Sequence, residues 1–167
     1  MDIHELLAVY TAHPQINAIC SIFEDKKIKN LLLKGLNGSA DAITIASLYS
    51  KRGGNFLCIL NDLEEAGYFY NDLIQLTGDK KIFFFPSAYN RHIKYGHIDP
   101  ANEILRTEVL GALQSNHPDV IIVTYPDAMA EKVLSKKELQ QNTLKLSVNE
   151  KVDNMFISDV LDSLGFE

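Results

Sequence analysis

The hydrophobic positions of this chain follow two periods, which predicts alternating strands and helices. Four short, nearly continuous apolar runs have the length and character of parallel strands buried on both faces. They are residues 30–34, 55–60, 81–85 and 119–124. Between them, apolar residues recur at three- and four-residue spacing, which is the period of a helix packed on a core. The order predicts an α/β fold of the doubly wound type with a mainly parallel sheet.

The segments on either side of this pattern have a different character. Residues 2–10 and 15–24 read as two short helices, so residues 1–27 are predicted to form an N-terminal helical arm before an α/β domain at 28–134. Residues 135–167 read as a polar helix, a half-exposed strand at 143–148 and an amphipathic final helix. We expect them to be the truncated beginning of a small second α+β domain.

The helical spacing also predicts which side chains are buried. For the helix that follows residues 30–39, the predicted inner positions are Ala42, Ile45, Ala46 and Tyr49. For the helix capped by Asn61 or Asp62 and ended by Gly78, they are Leu63, Ala66, Tyr70, Leu73 and Ile74. For the helix at 101–115, they are Ile104, Leu105, Val109, Ala112 and Leu113. A short helix is expected from Pro126 through Leu134.

Composition narrows the class of protein. With 46% hydrophobic residues in 167, the chain can bury a core without disulfides. Its two cysteines, Cys20 and Cys58, lie in apolar segments and read as small hydrophobic residues in a reducing compartment. No apolar run is long enough for a membrane span and no leader pattern is evident, so we expect a cytoplasmic protein. The net charge of -6 disfavours a general nucleic-acid surface.

The turn after the first predicted strand resembles a phosphate-binding loop whose reactive groups are missing. Strand, glycine turn and helix succeed one another as in the pattern G-x-x-x-x-G-K-[ST]. If Gly35 is the first glycine, the second falls on Ala40, the lysine on Asp41 and the hydroxyl on Ala42, with Gly38 and Ser39 inside the turn. A carboxylate at the lysine position repels phosphate. We therefore expect a degenerate loop with no cofactor, although an active enzyme that uses another lysine, such as Lys34, is an alternative.

The connection at residues 87–100 is the second candidate site. It is longer than most strand-to-helix turns and alternates basic with aromatic residues, as a single-stranded nucleic acid surface would. The candidate interaction residues are Tyr89, Arg91, His92, Lys94 and Tyr95. The alternative is an exposed linker, which the acidic net charge favours. His92, His97 and Asp99 lack the frame of a metal site, and no nucleophile accompanies the acidic pairs, so we expect neither a metal nor catalysis.

Several of these segments, in this order, resemble one family. KGLNGSADAITIASL is followed by a strand leading into FFPS, then by NEILRTEVLGAL, VIIVTYPDAM and a lysine-rich turn. This order is similar to the N-terminal region of the bacterial transcription-repair coupling factors, which is itself similar to the first two domains of UvrB. The resemblance covers residues 28–167 and implies a sheet of the UvrB domain 1a type. In UvrB the loop is intact, whereas the coupling factors have lost its lysine, as at Asp41 here.

The resemblance implies a non-enzymatic adaptor in transcription-coupled nucleotide excision repair. In that family the module binds UvrA and restrains the motor domains of the parent protein. RNA polymerase and DNA are engaged by other domains, which carry the ATP-dependent translocase. The UvrA-contacting segment of the family is expected beyond Glu167, and residues 87–100 take the place of the DNA-clamping hairpin of UvrB. An unrelated α/β protein-interaction domain is a further alternative.

Overall fold

The computed structural model describes residues 2–25, 27–78, 81–89, 98–114, 119–141, 143–144, 146, 148 and 151–163. The chain divides into two compact units, Met1–Glu131 and Lys132–Glu167. The first contains α1 (Ile3–Thr11), α2 (Pro14–Glu24), α3 (Ala40–Arg52), β1 (Phe56–Ile59), α4 (Leu63–Thr77), β2 (Ile82–Phe85), α5 (Pro100–Leu113), β3 (Ile121–Thr124) and α6 (Pro126–Met129). The second contains α7 (Lys136–Gln141) and α8 (Asn154–Ser163).

The three strands form a parallel sheet in the order β1-β3-β2. In register, Ile121 of β3 stands between Phe56 of β1 and Ile82 of β2. All four residues of β3 are buried, as a central parallel strand requires. The prediction of an α/β fold with a parallel sheet is therefore confirmed, and three of the four predicted strands are found.

The first predicted strand along the chain, at residues 30–34, is not found. These residues have no regular secondary structure, and Leu32 is 74% exposed. An extended segment becomes a strand when its backbone groups join a ladder, and no described strand pairs with this one. The apolar run therefore does not form a strand, because the described chain offers it no neighbouring strand.

Helices cover both faces of the sheet at β2. The Tyr70 ring of α4 lies 5.3 Å from that of Phe84, and the Arg106 guanidinium of α5 lies 4.1 Å above the Phe85 ring. Because successive strand residues point to opposite faces, α4 and α5 lie on opposite sides of the sheet. Burial and the neighbouring Glu108 carboxylate both raise the pKa of Tyr70.

The N-terminal helices pack onto this layer. Ile3 and Leu7 of α1 join the main core. Ile16 and Ile19 of α2 form a second cluster with Leu48, against which Phe56 packs.

The predicted inner faces are partly correct. In α3, Ala42, Ala46 and Tyr49 are buried as expected. In α4 the buried residues are Ala66, Phe69, Leu73 and Leu76, whereas Leu63 and Ile74 are exposed. In α5 the buried residues are Arg106 and Val109, whereas Ile104 and Leu113 are exposed. The inner faces of α4 and α5 were partly misassigned because apolar residues occur on more than one side of each helix. Only packing in the fold selects the side that is buried.

The end of the chain departs from prediction in smaller ways. Helix α6 ends at Met129, earlier than the predicted Leu134. Of the predicted strand at 143–148, residues 143, 144, 146 and 148 are described and lie outside helices and strands. Helix α8 forms where the final amphipathic helix was predicted. Within the described residues, no helix combines the length and apolar character needed to cross a membrane.

Candidate functional site

The glycine turn before α3 passes through left-handed backbone at two positions. Gly35 and Gly38 have φ values of +85° and +58°, in the left-handed region that glycine adopts most easily. A Cβ at either position would meet no atom within 4 Å. The glycines therefore serve the path of the backbone, since nothing described approaches them closely.

The first turn of α3 carries a negative charge of its own. Ser39 is the N-cap residue, but its side chain makes no capping hydrogen bond. Asp41 Oδ1 instead accepts a hydrogen bond of 2.7 Å from the Ala42 amide, one of the helix N–H groups that a bound phosphate would use. Ala42 is fully buried. The turn thus brings together the predicted residues Gly35, Gly38, Ser39, Ala40, Asp41 and Ala42 as an anion-repelling helix start.

Asp41 also influences the strand beside it. Burial, and secondarily the Asp41 carboxylate, raise the pKa of the Cys58 thiol from its ordinary value of 9.0 to about 12. Because the thiolate is the reactive form of cysteine, this thiol is held in its unreactive state at neutral pH. The thiol of Cys58 near Asp41 is therefore protonated and unreactive at neutral pH.

A second cluster lies at the carboxyl ends of β2 and β3, where parallel sheets usually bind their ligands. Its centre is Arg106, which is buried. Arg106 Nη1 donates to the carbonyl oxygens of Pro86 at 2.7 Å and Ala128 at 3.2 Å. It also forms an ion pair with Glu131 Oε2 at 3.2 Å. One side chain thus joins the segments that leave both strands.

Glu131 completes this cluster from the end of α6. Its carboxylate accepts hydrogen bonds from the Ser87 hydroxyl and from the Ala88 amide, the latter at 2.9 Å. The Ser87 amide donates to the Tyr125 hydroxyl at 2.9 Å, and Asn102 Nδ2 donates to the Ser87 carbonyl at 2.9 Å. The polar groups at this edge are therefore used by the protein itself.

The carboxyl end of β1 is closed in the same manner. Asn61 donates from its backbone and side-chain amides to Glu65 Oε2, at 3.0 and 2.7 Å. Glu65, one of the acidic residues considered for catalysis, thus acts in the cap of α4.

Sequence reasoning missed both Arg106 and Glu131. Arg106 lies four residues after Asn102 and three before Val109, so helical spacing places all three on one side of α5. That spacing was the available signal, but a charged residue between apolar neighbours reads first as a solvated one. Glu131 follows α6 in an irregular segment and had no periodic signal at all.

The predicted interaction loop is described only at its base. Tyr89 is 47% exposed and forms an antiparallel bridge with Ile98, and the Asp99 amide donates to the Ala88 carbonyl at 2.8 Å. Asp99 Oδ1 accepts from the Ala101 amide at 3.0 Å and caps α5. Four candidate residues, Arg91, His92, Lys94 and Tyr95, lie outside the described residues, as does His97.

No group of three His, Cys, Asp or Glu side chains that could hold a metal ion occurs within the described residues. In comparisons with known proteins, no family model matches the chain and no curated protein is significantly similar to it.

Proposed function

We propose that this chain is a non-catalytic protein-interaction module, of the UvrB-like type that occurs at the N-terminus of transcription-repair coupling factors. The observation that carries this proposal is the position of Asp41, whose carboxylate accepts the Ala42 amide at 2.7 Å in the first turn of α3. A nucleotide site of this architecture places a lysine and a hydroxyl there.

The electrostatics of the turn support the proposal. A triphosphate brought to the N-terminus of α3 would meet the Asp41 charge and would have to displace it from the Ala42 amide. The buried methyl group of Ala42 offers no oxygen to magnesium. The carboxyl ends of β2 and β3 also support a non-catalytic role, because Arg106 and Glu131 already bond the polar groups of that edge.

Within this proposal the module recruits UvrA and restrains the motor of the parent protein during transcription-coupled repair. This part rests on the order of motifs from residue 28 to residue 167 and on the loss of the loop lysine at Asp41. Within the same proposal, the sheet is of the UvrB domain 1a type.

Equilibrium dialysis with ATP and Mg²⁺ tests the non-catalytic character. We expect no saturable binding up to about 1 mM nucleotide, which corresponds to a binding free energy weaker than about -4 kcal/mol. Lys34→Ala is the matched variant, since Lys34 is the nearest lysine before the turn. Micromolar binding that Lys34→Ala abolishes would establish the alternative of a nucleotide-dependent enzyme.

A binding assay with UvrA tests the proposed partner. UvrA is immobilised, and the chain is compared with a longer polypeptide that continues past Glu167 through the second-domain segment of the coupling factors. We expect the longer polypeptide to bind and the present chain to bind weakly or not at all. If neither binds, the assignment to this family loses its functional content, whatever the nucleotide assay gives.

A further inference from the structure

Asn37 is the only asparagine in the sequence that is followed by glycine. Asn37 and Gly38 lie in the turn that precedes α3, and both are exposed. An asparagine before glycine is especially prone to spontaneous deamidation, because glycine has no Cβ to keep its amide nitrogen away from the asparagine side chain. Whether the reaction occurs in the folded protein then depends on how firmly the fold holds this peptide unit.

The fold leaves both reacting groups without hydrogen bonds. Within the described residues, the Asn37 side-chain amide has no hydrogen-bond partner, and the Gly38 amide nitrogen donates to no acceptor. The Asn37 carbonyl does accept a bond from the Ala40 amide, but this bond is 3.3 Å long, beyond the usual range. Because the Gly38 nitrogen is not held by a helix or a strand ladder, rotation of the Asn37 backbone can bring it to the Asn37 side chain.

The space around this peptide unit is open. A Cβ built on Gly38, which has a φ of +58°, would meet no atom within 4 Å. The Ser39 side chain makes no capping hydrogen bond, and the helical residues begin only at Ala40. The turn can therefore rearrange without displacing a packed side chain, and water has access to it.

We propose that Asn37 is a site of spontaneous deamidation, at which its amide becomes a mixture of aspartate and isoaspartate. The Gly38 nitrogen gives its proton to hydroxide and attacks Asn37 Cγ, so that a bond forms between these two atoms. The bond from Cγ to Nδ2 breaks, and ammonia leaves after taking a proton from water. Water then opens the cyclic imide at either carbonyl, and no other reactant is needed.

Either product places a new carboxylate four residues before Asp41. The added charge increases the repulsion that an anion meets at the start of α3. Isoaspartate also adds one carbon to the main chain and lengthens the path into the helix. The proposal depends only on the chemistry of the turn and stands independently of the proposed function, so neither the nucleotide assay nor the UvrA assay decides it.

The test follows the whole chain during incubation at 37 °C under mildly alkaline conditions. Trypsin cuts after Lys34 and Lys51, and the peptide between them contains Asn37 as its only side-chain amide. Mass spectrometry of this peptide therefore assigns every conversion to Asn37. A carboxyl-methyltransferase specific for isoaspartate, supplied with S-adenosylmethionine, measures the isoaspartate share. We expect both acids to accumulate, at a rate that rises in proportion to hydroxide concentration.

Asn30 is the internal control. It is exposed and lies outside helices and strands, as Asn37 does, but Leu31 follows it. The same digest releases it in the peptide of residues 30–34. We expect Asn30 to react at least about tenfold more slowly than Asn37, because the Leu31 side chain hinders the attacking nitrogen.

Two further measurements test the role of Gly38 and of the fold. Gly38→Ala should slow the conversion of Asn37 at least about tenfold, and measuring this variant in urea as well makes the result independent of its folding. For the natural chain, the folded protein should react less than about tenfold more slowly than the same protein in urea, because the turn leaves the peptide unit free.

Three outcomes would overturn the proposal. Equal rates at Asn30 and Asn37 would show that exposure alone governs the reaction. A Gly38→Ala variant that reacts as fast as the natural chain would exclude attack by the Gly38 nitrogen. Protection of Asn37 by more than about tenfold in the folded protein would show that the turn holds its peptide unit away from the reactive geometry.

Discussion

Arg106 Nη1 lies 3.2 Å from Glu131 Oε2, and this ion pair joins α5 to the chain that follows α6. The two side chains are only 8% and 16% exposed. Because Glu131 also holds the Ala88 amide and Arg106 also holds the Pro86 carbonyl, the pair fixes the path of the chain immediately after β2. The base of the residue 87–100 connection is therefore bonded both to α5 and to the chain after α6.

We expect Arg106→Met to destabilise the protein by about 3–5 kcal/mol. The change leaves the mostly buried Glu131 carboxylate without its cation, and the Pro86 and Ala128 carbonyls without their donor. The free energy of unfolding in urea, followed by circular dichroism, measures this loss.

Arg52→Met is the matched control for that prediction. Arg52 also lies over an aromatic ring, at 5.5 Å from the Phe23 centroid, but it is exposed. We expect a loss of less than about 1 kcal/mol. If Arg106→Met does not fold, Glu131→Gln, which keeps an oxygen for the Ala88 amide, should fold with a smaller loss of about 1–3 kcal/mol. Equal losses for Arg106→Met and Arg52→Met would contradict the structural role of the buried pair.

The cluster around Arg106 shows where sequence reasoning ends. Runs such as residues 119–124 predict strands because a buried parallel strand has to be apolar on both faces. The same reasoning failed at residues 30–34, since a strand also needs a neighbour, and the neighbour is not encoded locally. The residues of the Asp41 turn lie within eight positions of the chain, so their proximity follows from the sequence alone. The partner of Arg106 lies 25 positions away, in a segment without periodicity, and only the fold brings them together.

The N-caps give a second, graded prediction. Asp62 Oδ1 accepts from the Glu65 amide at 2.9 Å, as the predicted cap of α4 requires. Asp62→Ala should lower the free energy of unfolding by about 1 kcal/mol, because that amide loses its acceptor. Ser39→Ala should change it by much less, since the Ser39 side chain makes no capping bond at α3. Urea unfolding of both variants checks this, and a larger loss for Ser39→Ala would contradict the absence of a capping bond at Ser39.

A third prediction concerns two glycines, at which the same substitution to alanine should change stability in opposite directions. Gly53 ends α3 with φ +64° and ψ -163°, and a Cβ there would lie 3.2 Å from Asp119 Oδ1. Gly53→Ala should therefore destabilise by about 1–3 kcal/mol. Gly67 lies inside α4, and a Cβ there would meet no atom within 4 Å. Gly67→Ala should stabilise the protein by about 0.5–1 kcal/mol. Thermal unfolding measures both changes, and midpoints that shift in the same direction for the two variants would contradict the backbone conformations given for Gly53 and Gly67.

The partly buried thiol of Cys58 makes stability depend on pH above 9. Its pKa is raised to about 12 in the folded protein, chiefly by burial and then by Asp41, from the value of 9.0 expected when it is exposed. The stabilisation is complete below pH 9 and is lost as pH rises from 9 towards 12, because the unfolded chain releases the proton first. At pH 10 the loss is about 1.4 kcal/mol relative to pH 8. Cys58→Ala removes this contribution and retains the other titrating groups, so the difference in unfolding free energy between the two proteins should shrink by that amount over this range.

The same burial should make Cys58 react with a disulfide reagent at pH 8 only after urea is added, which a Cys20→Ser background makes measurable. Rapid reaction of the folded protein in that background would contradict the raised pKa.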